Sequence, residues 1–240
     1  MRKALTTIAA IALLAALAMA CGCSQQPRES NPSPDPASAS AAAGAERQDV
    51  AVTETGFSAN SAGATHYGLI IENPNERYSL GAFQVNVTAR NADGQILGTD
   101  TAHPKYLFPL QRTAVCGFID TPEAPATVEA TITADESSWS IGDDVQGGDI
   151  DSSFQVTNLA DIDKGYGSAS VTGEVLNNTD SEVKRMIVNV VVRDAEGNIV
   201  CGDFTYANGT VPAGGSAVFE ATFSEMPEHA SVEAYPMMYA

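Results

Sequence analysis

Along this chain the apolar residues fall in short runs that alternate with polar ones, and the runs are cut by Asn, Asp, Gly and Pro. In the C-terminal part Ser168 to Leu176 reads as one strand, Asn177-Asn178-Thr179-Asp180 turns the chain, and Met186 to Arg193 (MIVNVVVR) reads as a central strand. Ala195-Glu196-Gly197-Asn198 then turns into Ile199-Val200-Cys201. Pro212-Ala213-Gly214-Gly215 turns again, and Ala217 to Phe223 and Ala230 to Tyr235 complete the set. Gly94 and Gly197 stand where a tight hairpin needs positive φ, which glycine adopts without steric cost. No stretch beyond the N-terminal segment reads as helix. Turn signals every ~8–12 residues favour a sandwich of antiparallel strands over a barrel or a parallel sheet.

The pattern occurs twice. Arg90-Asn91-Ala92-Asp93-Gly94-Gln95-Ile96 aligns with Arg193-Asp194-Ala195-Glu196-Gly197-Asn198-Ile199 at an offset of 103, and Val85-Asn86-Val87 with Val188-Asn189-Val190. Ala126 to Ala130 matches Ala230 to Ala234 at an offset of 104, and Asn73-Pro74-Asn75 lies opposite Asn177-Asn178-Thr179 with the same one-residue slippage. A duplication is the simplest cause. The expected fold is all-β: two tandem immunoglobulin-like β-sandwich modules, residues 48–134 and 152–240, joined by an acidic, Gly-containing linker at 135–151 and packed end to end.

Val171-Thr172-Gly173-Glu174-Val175-Leu176-Asn177-Asn178, the Val/Ile strand ending Arg193-Asp194-Ala195-Glu196-Gly197, then Val211-Pro212-Ala213-Gly214 and Phe219, resemble the FxLYD domain. The resemblance implies a small immunoglobulin-like sandwich of the kind found in bacterial envelope proteins and lipoproteins, with no common activity. Where the family has Phe-x-Leu-Tyr-Asp, this chain has Val190-Val191-Val192-Arg193-Asp194, keeping the Asp, and the first copy has Asn91 there.

Ahead of both copies, Met1-Arg2-Lys3 supplies a positive start, and the apolar run from Ala4 to Met19 is too short for the ~20 residues a membrane-spanning helix needs. Residues 1–20 read as a lipoprotein signal peptide. Ala18-Met19-Ala20-Cys21 resembles a lipobox, which makes Cys21 the expected site of lipid attachment, with Cys23 in a second register. Residues 21–47, rich in Pro, Ser and Ala, bury nothing that offsets ordering entropy and read as a disordered tether.

The net charge is −18, and removing Arg2 and Lys3 with the signal leaves −20. Nucleic acid is thereby excluded as a partner, since phosphate contacts need clustered cations. His66, His103 and His229 lie far apart and read as unpartnered, and no HExxH, GxSxG, P-loop or GxGxxG pattern occurs. The linker acids Asp143, Asp144, Asp149 and Asp151 lack the spacing of an EF-hand loop and read as solvated. Cys116 and Cys201, one per copy, read as small buried or edge thiols, with Cys116 opposite Phe219 and Cys201 opposite Gly98 in the repeat alignment. The Asn-x-Thr triplets at Asn86, Asn177 and Asn208 read as strand and turn residues. Tyr206, Tyr235, Tyr239 and Met237-Met238 either close a core or form a patch for a partner.

No catalytic residue, cofactor or metal follows from these patterns. The expectation is a non-enzymatic, lipid-anchored protein of the bacterial cell envelope, facing outward from the membrane, that displays two β modules for protein or glycan binding or for structural support. Two alternatives are an accessory subunit of an envelope transport, secretion or cell-wall complex, and a hydrolase with a cryptic site.

Overall fold

The computed structural model describes residues 46–142 and 147–238, and these belong to one compact unit. The signal peptide, Cys21, Cys23, nearly all of the tether, Asp143, Asp144 and Tyr239 lie outside the described residues.

The chain is all-β. The first repeat contributes β1 (Ala51–Ala59), β2 (Ala64–Glu72), β3 (Tyr78–Gly81), β4 (Gln84–Arg90), β5 (Ile96–Ala102), β6 (Tyr106–Leu107), β7 (Arg112–Asp120) and β8 (Thr127–Thr133). After it come β9 (Trp139–Ile141) and the helix α1 (Gly147–Ser153). The second repeat contributes β10 (Phe154–Gly165), β11 (Ser168–Asn177), β12 (Met186–Arg193), β13 (Ile199–Tyr206), β14 (Ser216–Phe223) and β15 (Ser231–Met238). Every pairing is antiparallel.

The two main sheets of each repeat pair their strands in the same way, and a small fifth sheet, β6-β3-β9, is formed with strands of the first repeat. Sheets β1-β2-β7 and β5-β4-β8 of the first correspond to β10-β11-β14 and β13-β12-β15 of the second. The hairpin glycines have the expected positive φ, +79° at Gly94 and +86° at Gly197. In each repeat the two sheets enclose an apolar cluster, built on Tyr67, Leu69, Val85, Val87 and Val115 in one and on Val171, Val188, Val190, Phe219 and Phe223 in the other.

A buried asparagine organises the end of each pair of sheets. Asn73 Nδ2 donates to the carbonyls of Tyr78 (2.7 Å) and Phe108 (3.0 Å), and its Oδ1 accepts the Asn75 N–H (3.1 Å). Asn177 repeats the device: Nδ2 donates to Ser181 O (2.8 Å), and Oδ1 accepts from the Thr179 N–H (3.0 Å). Asn177 has no exposed surface, as befits a turn anchor rather than a modification site.

The expected end-to-end packing is not what the structure shows. A third apolar cluster, Ile70, Ala114, Cys116, Val191 and Ile199, joins the face of β1-β2-β7 to the face of β13-β12-β15. Four sheets therefore stack, and the two in the middle are covered on both faces. The continuous apolar runs state the reason: β12 is buried almost throughout and so is the centre of β2, whereas β14 and β4 alternate as strands with one solvated face do. Glycines let the middle sheets approach. A Cβ on Gly202 would stand 2.7 Å from Gly68 Cα, and one on Gly56 would stand 1.8 Å from Ile199 O.

The segment after β8 is structured where it is described, and it holds an α-helix, where none was expected. β9 pairs with β3, Arg47 at the end of the tether stands over the Trp139 ring at 4.6 Å from its centroid, and the same guanidinium donates to Glu136 (2.8 Å). Helix α1 is seated on the first repeat, where the Gly147 N–H donates to Pro109 O (2.6 Å).

Candidate functional site

Between the two middle sheets, at one end of their contact, a cleft of about 380 Å³ opens to solvent. Its first wall is the run from Asp100 to Lys105, the end of β5 and the connection to β6, together with Cys116 and Phe118 of β7. The facing wall comes from the second repeat: Ile187 and Asn189 of β12, Phe204 and Tyr206 of β13, and Met237 and Met238 of β15. The size falls within the range of sites that hold small molecules. Phe118 is 49 % exposed and Tyr206 and Met238 about 40 %, so apolar surface faces the opening without covering a core. Phe204 and Tyr206 meet edge to face with centroids 6.1 Å apart.

One carboxylate is built into the wall. The Tyr67 hydroxyl donates to Asp100 Oδ2 (2.7 Å), and the Thr101 N–H donates to Oδ1 (2.8 Å). Burial, reinforced by Asp100, raises the Tyr67 pKa far above the phenolic range, so the phenol remains a donor. The pair crosses β7 where there is no side chain: a Cβ on Gly117 would lie 2.5 Å from the Tyr67 hydroxyl and 3.0 Å from Asp100 Oδ2.

At the other edge of the same contact a charged network holds the walls in place. Arg193, nearly buried on β12, reaches Glu54 of β1 and lies with its Nε 3.0 Å from Glu233 of β15. Arg112 of β7 binds Glu54 as well, reaches Glu72 (3.0 Å), and donates to the Tyr235 hydroxyl (3.1 Å), which donates in turn to Glu233 (2.8 Å). Burial opposes the charge on Glu54, but hydrogen bonds from Arg193 and Arg112 outweigh it and lower its pKa.

The residues singled out from the sequence separate into distinct places. Tyr206, Met237 and Met238 come together in the cleft, Tyr235 joins the charged network, and His103 lines the cleft at its solvent edge. Two histidines expected to stand alone have acidic neighbours: His229 Nε2 lies 2.7 Å from Asp161 Oδ2, and His66 Nδ1 lies 3.2 Å from Asp203 Oδ2 across the contact, though not in hydrogen-bond geometry. The three histidines do not gather around one centre.

Cys116 and Cys201 are both free and buried. Burial, with Asp203 nearby, pushes the Cys116 thiol well up and takes Cys201 up to about 12, so both remain protonated and poorly nucleophilic. Cys116 does not correspond to Phe219. In the pairings, Cys116 opposes Gly68 and Phe219 opposes Gly173, and the Asn73/Asn177 anchors set an offset of 104 in these strands, which matches Cys116 to Glu220. A one-residue slip exchanges faces: Phe219 points into its own core and Cys116 into the contact between repeats, where its N–H donates to Asn189 Oδ1 (3.0 Å). Among the described residues no three His, Cys, Asp or Glu side chains gather where a metal would sit. Asp149 and Asp151 belong to helix α1.

Phe118, Phe204 and Asp100 were not singled out from the sequence. One signal for the first was present, since Phe118-Ile119 in a strand puts adjacent large apolar residues on opposite faces. No family model matches the chain, and no curated protein does. Among the described residues no helix is long and apolar enough to cross a membrane.

Proposed function

We propose that this is a binding protein of the bacterial cell envelope, anchored by lipid at Cys21, whose two immunoglobulin-like, FxLYD-like modules act as one rigid head on a tether. The observation that carries the binding reading is the cleft between the repeats, with half-exposed Phe118 and exposed Tyr206 and Met238 facing solvent rather than a core. The charged network and the glycine contacts support a preformed site, because they fix its walls before a ligand arrives. The anchor rests on the Ala18-Met19-Ala20-Cys21 pattern and the tether on the Pro/Ser/Ala-rich stretch after it.

The test is crosslinking in intact cells, with capture of the tagged protein beside a chain carrying both Cys21→Ala and Cys23→Ala. Membrane association that survives the double substitution rejects the lipid anchor. Photocrosslinkers at position 118 that capture nothing different from crosslinkers on the far face of β14 reject the cleft as the binding surface.

A further inference from the structure

We propose that the cleft between the repeats binds a small organic ammonium ion with an aryl or alkyl body. This rests on the reading of the cleft as the binding site and adds the chemistry of what enters it. Four observations point the same way.

Phe118, Phe204 and Tyr206 line the cleft together with Met237 and Met238, and aromatic rings attract cations through their quadrupole. The chain already uses one of these rings so, with the Arg185 guanidinium 5.2 Å from the Tyr206 centroid. The Asp100 carboxylate lines the same cleft, held by Tyr67 and the Thr101 amide. Finally, a net charge of −18 draws cations toward the molecule and turns anions away.

Against these stand two cations at the border, Arg185 and Lys105. Lys105 is exposed on the β5–β6 connection, and a four-carbon stem lets its ammonium remain in water away from the rings. Asp100 has no such freedom. Its oxygens are fixed within the wall, while Arg185 lies against the Tyr206 ring without itself lining the cleft, so the charge fixed inside the cleft is the negative one.

The test uses the full chain labelled with ¹³C-methyl methionine, the Met237 and Met238 signals being assigned by Met→Leu substitution. It is titrated at neutral pH with benzyltrimethylammonium, 3-phenylpropionate and benzyl alcohol. The expected result is that benzyltrimethylammonium moves both methyl signals and binds about 2- to 30-fold more tightly than either other probe. Phe118→Ala, which trims a half-exposed ring, and Asp100→Asn, which keeps an acceptor for Tyr67, each reduce that preference.

If 3-phenylpropionate or benzyl alcohol binds as tightly, the ammonium class is overturned while the cleft stands. If no probe moves Met237 or Met238, the cleft reading falls with it. A preference unchanged in both variants places the cation elsewhere and overturns the proposal. So does a basic peptide such as Lys-Lys-Phe that moves the two signals when benzyltrimethylammonium does not.

Discussion

Strands β4 and β12 hold the same place in the two repeats, yet β4 shows one side to water and β12 shows almost none. The same contrast separates β7 from β14. Residue by residue, the covered face of the first repeat carries Gly68, Ile70, Ala114 and Cys116 where the open face of the second carries Thr172, Glu174, Val218 and Glu220. In the other pair of sheets, Asn189, Val191 and Gly202 are covered where Asn86, Thr88 and Thr99 are not. The repeats therefore meet through different sheets, and this kind of contact does not close on itself: each outermost sheet is of a type that is covered in the other repeat. Those outer faces carry Thr172, Glu174, Glu220, Thr88 and Thr99 where the covered faces carry Gly, Ile, Cys and Val. Backbone pairing is shared by the repeats, and the choice of neighbour lies in one face of a few strands.

The strongest way to break this difference is to give the covered face its open counterpart. Cys116→Glu places a carboxylate among Ile70, Val191 and Asn189 without a cation beside it, and the expected loss is about 3 kcal/mol or more. The reverse change, Glu220→Cys, removes an exposed ion pair with Lys164 and a partly buried hydrogen bond from Ser170, and a much smaller loss is expected because the carboxylate stands in solvent. Urea unfolding of both chains measures the pair. A Cys116→Glu chain as stable as its parent, or a Glu220→Cys chain that loses equally, would show that the two faces are not distinguished by burial.

Next in size is the glycine contact. Gly202→Thr introduces the residue found at the equivalent Thr99, and its Cβ meets the backbone of Gly68 and Tyr67 and the Cys116 sulfur, so the sheets have to part. A loss of about 1–3 kcal/mol is expected, with a larger radius of gyration by X-ray scattering as the repeats separate. Thr99→Gly relieves nothing and is expected to cost about 1 kcal/mol or less through weaker strand propensity. An unchanged radius in Gly202→Thr would count against the glycines as spacers.

Much of the fold was legible in the chain. Alternating runs, the Gly94 and Gly197 hairpins and the 103-residue repeat led to antiparallel sheets of matching order. The stacking was less legible, although MIVNVVVR carried the signal, because a run apolar on both faces states that two neighbours exist without naming the second. Cys116 was misplaced for a reason particular to strands. The offset is 103 through β4 and β5 but 104 in β2, β7 and β8, and with a period of two a single residue reverses which face a side chain joins. The cleft was read only in part. Tyr206, Met237 and Met238 are suggestive as apolar residues late in the sequence, but Phe118 and Asp100 join them only when two sheets distant in sequence meet face to face.

A third test sharpens the comparison through pH. Glu54 lies on the covered edge, and its equivalent region in the second repeat has no corresponding pair of arginines, since Ser216 stands where Arg112 does. Because the Glu54 pKa is lowered in the folded chain, its contribution is fully present above the ordinary glutamate pKa and is lost as pH falls through the lowered value. The contact between repeats should weaken on acidification, and Glu54→Gln should flatten that part of the stability profile. Parallel acid profiles for the parent and Glu54→Gln would exclude Glu54 as the source.

The smallest effect concerns His229, which belongs to the second repeat alone. Burial lowers the affinity of its imidazole for a proton, but the hydrogen bonds to Pro227 O and Asp161 outweigh burial and raise its pKa. The sign is opposite to that of Glu54: its contribution is fully present below the ordinary histidine pKa and is lost as pH rises through the raised value. His229→Gln should remove a slope of less than about 1 kcal/mol in total, since Asp161 is partly solvated. The Asp161–His229 pair ties β10 to the loop before β15 within one repeat and does not touch the contact between repeats. Its loss should therefore leave the radius of gyration unchanged while the neutral-to-alkaline stability profile flattens. A change in radius on His229→Gln would mean that the two repeats are coupled through this loop as well as through their middle sheets.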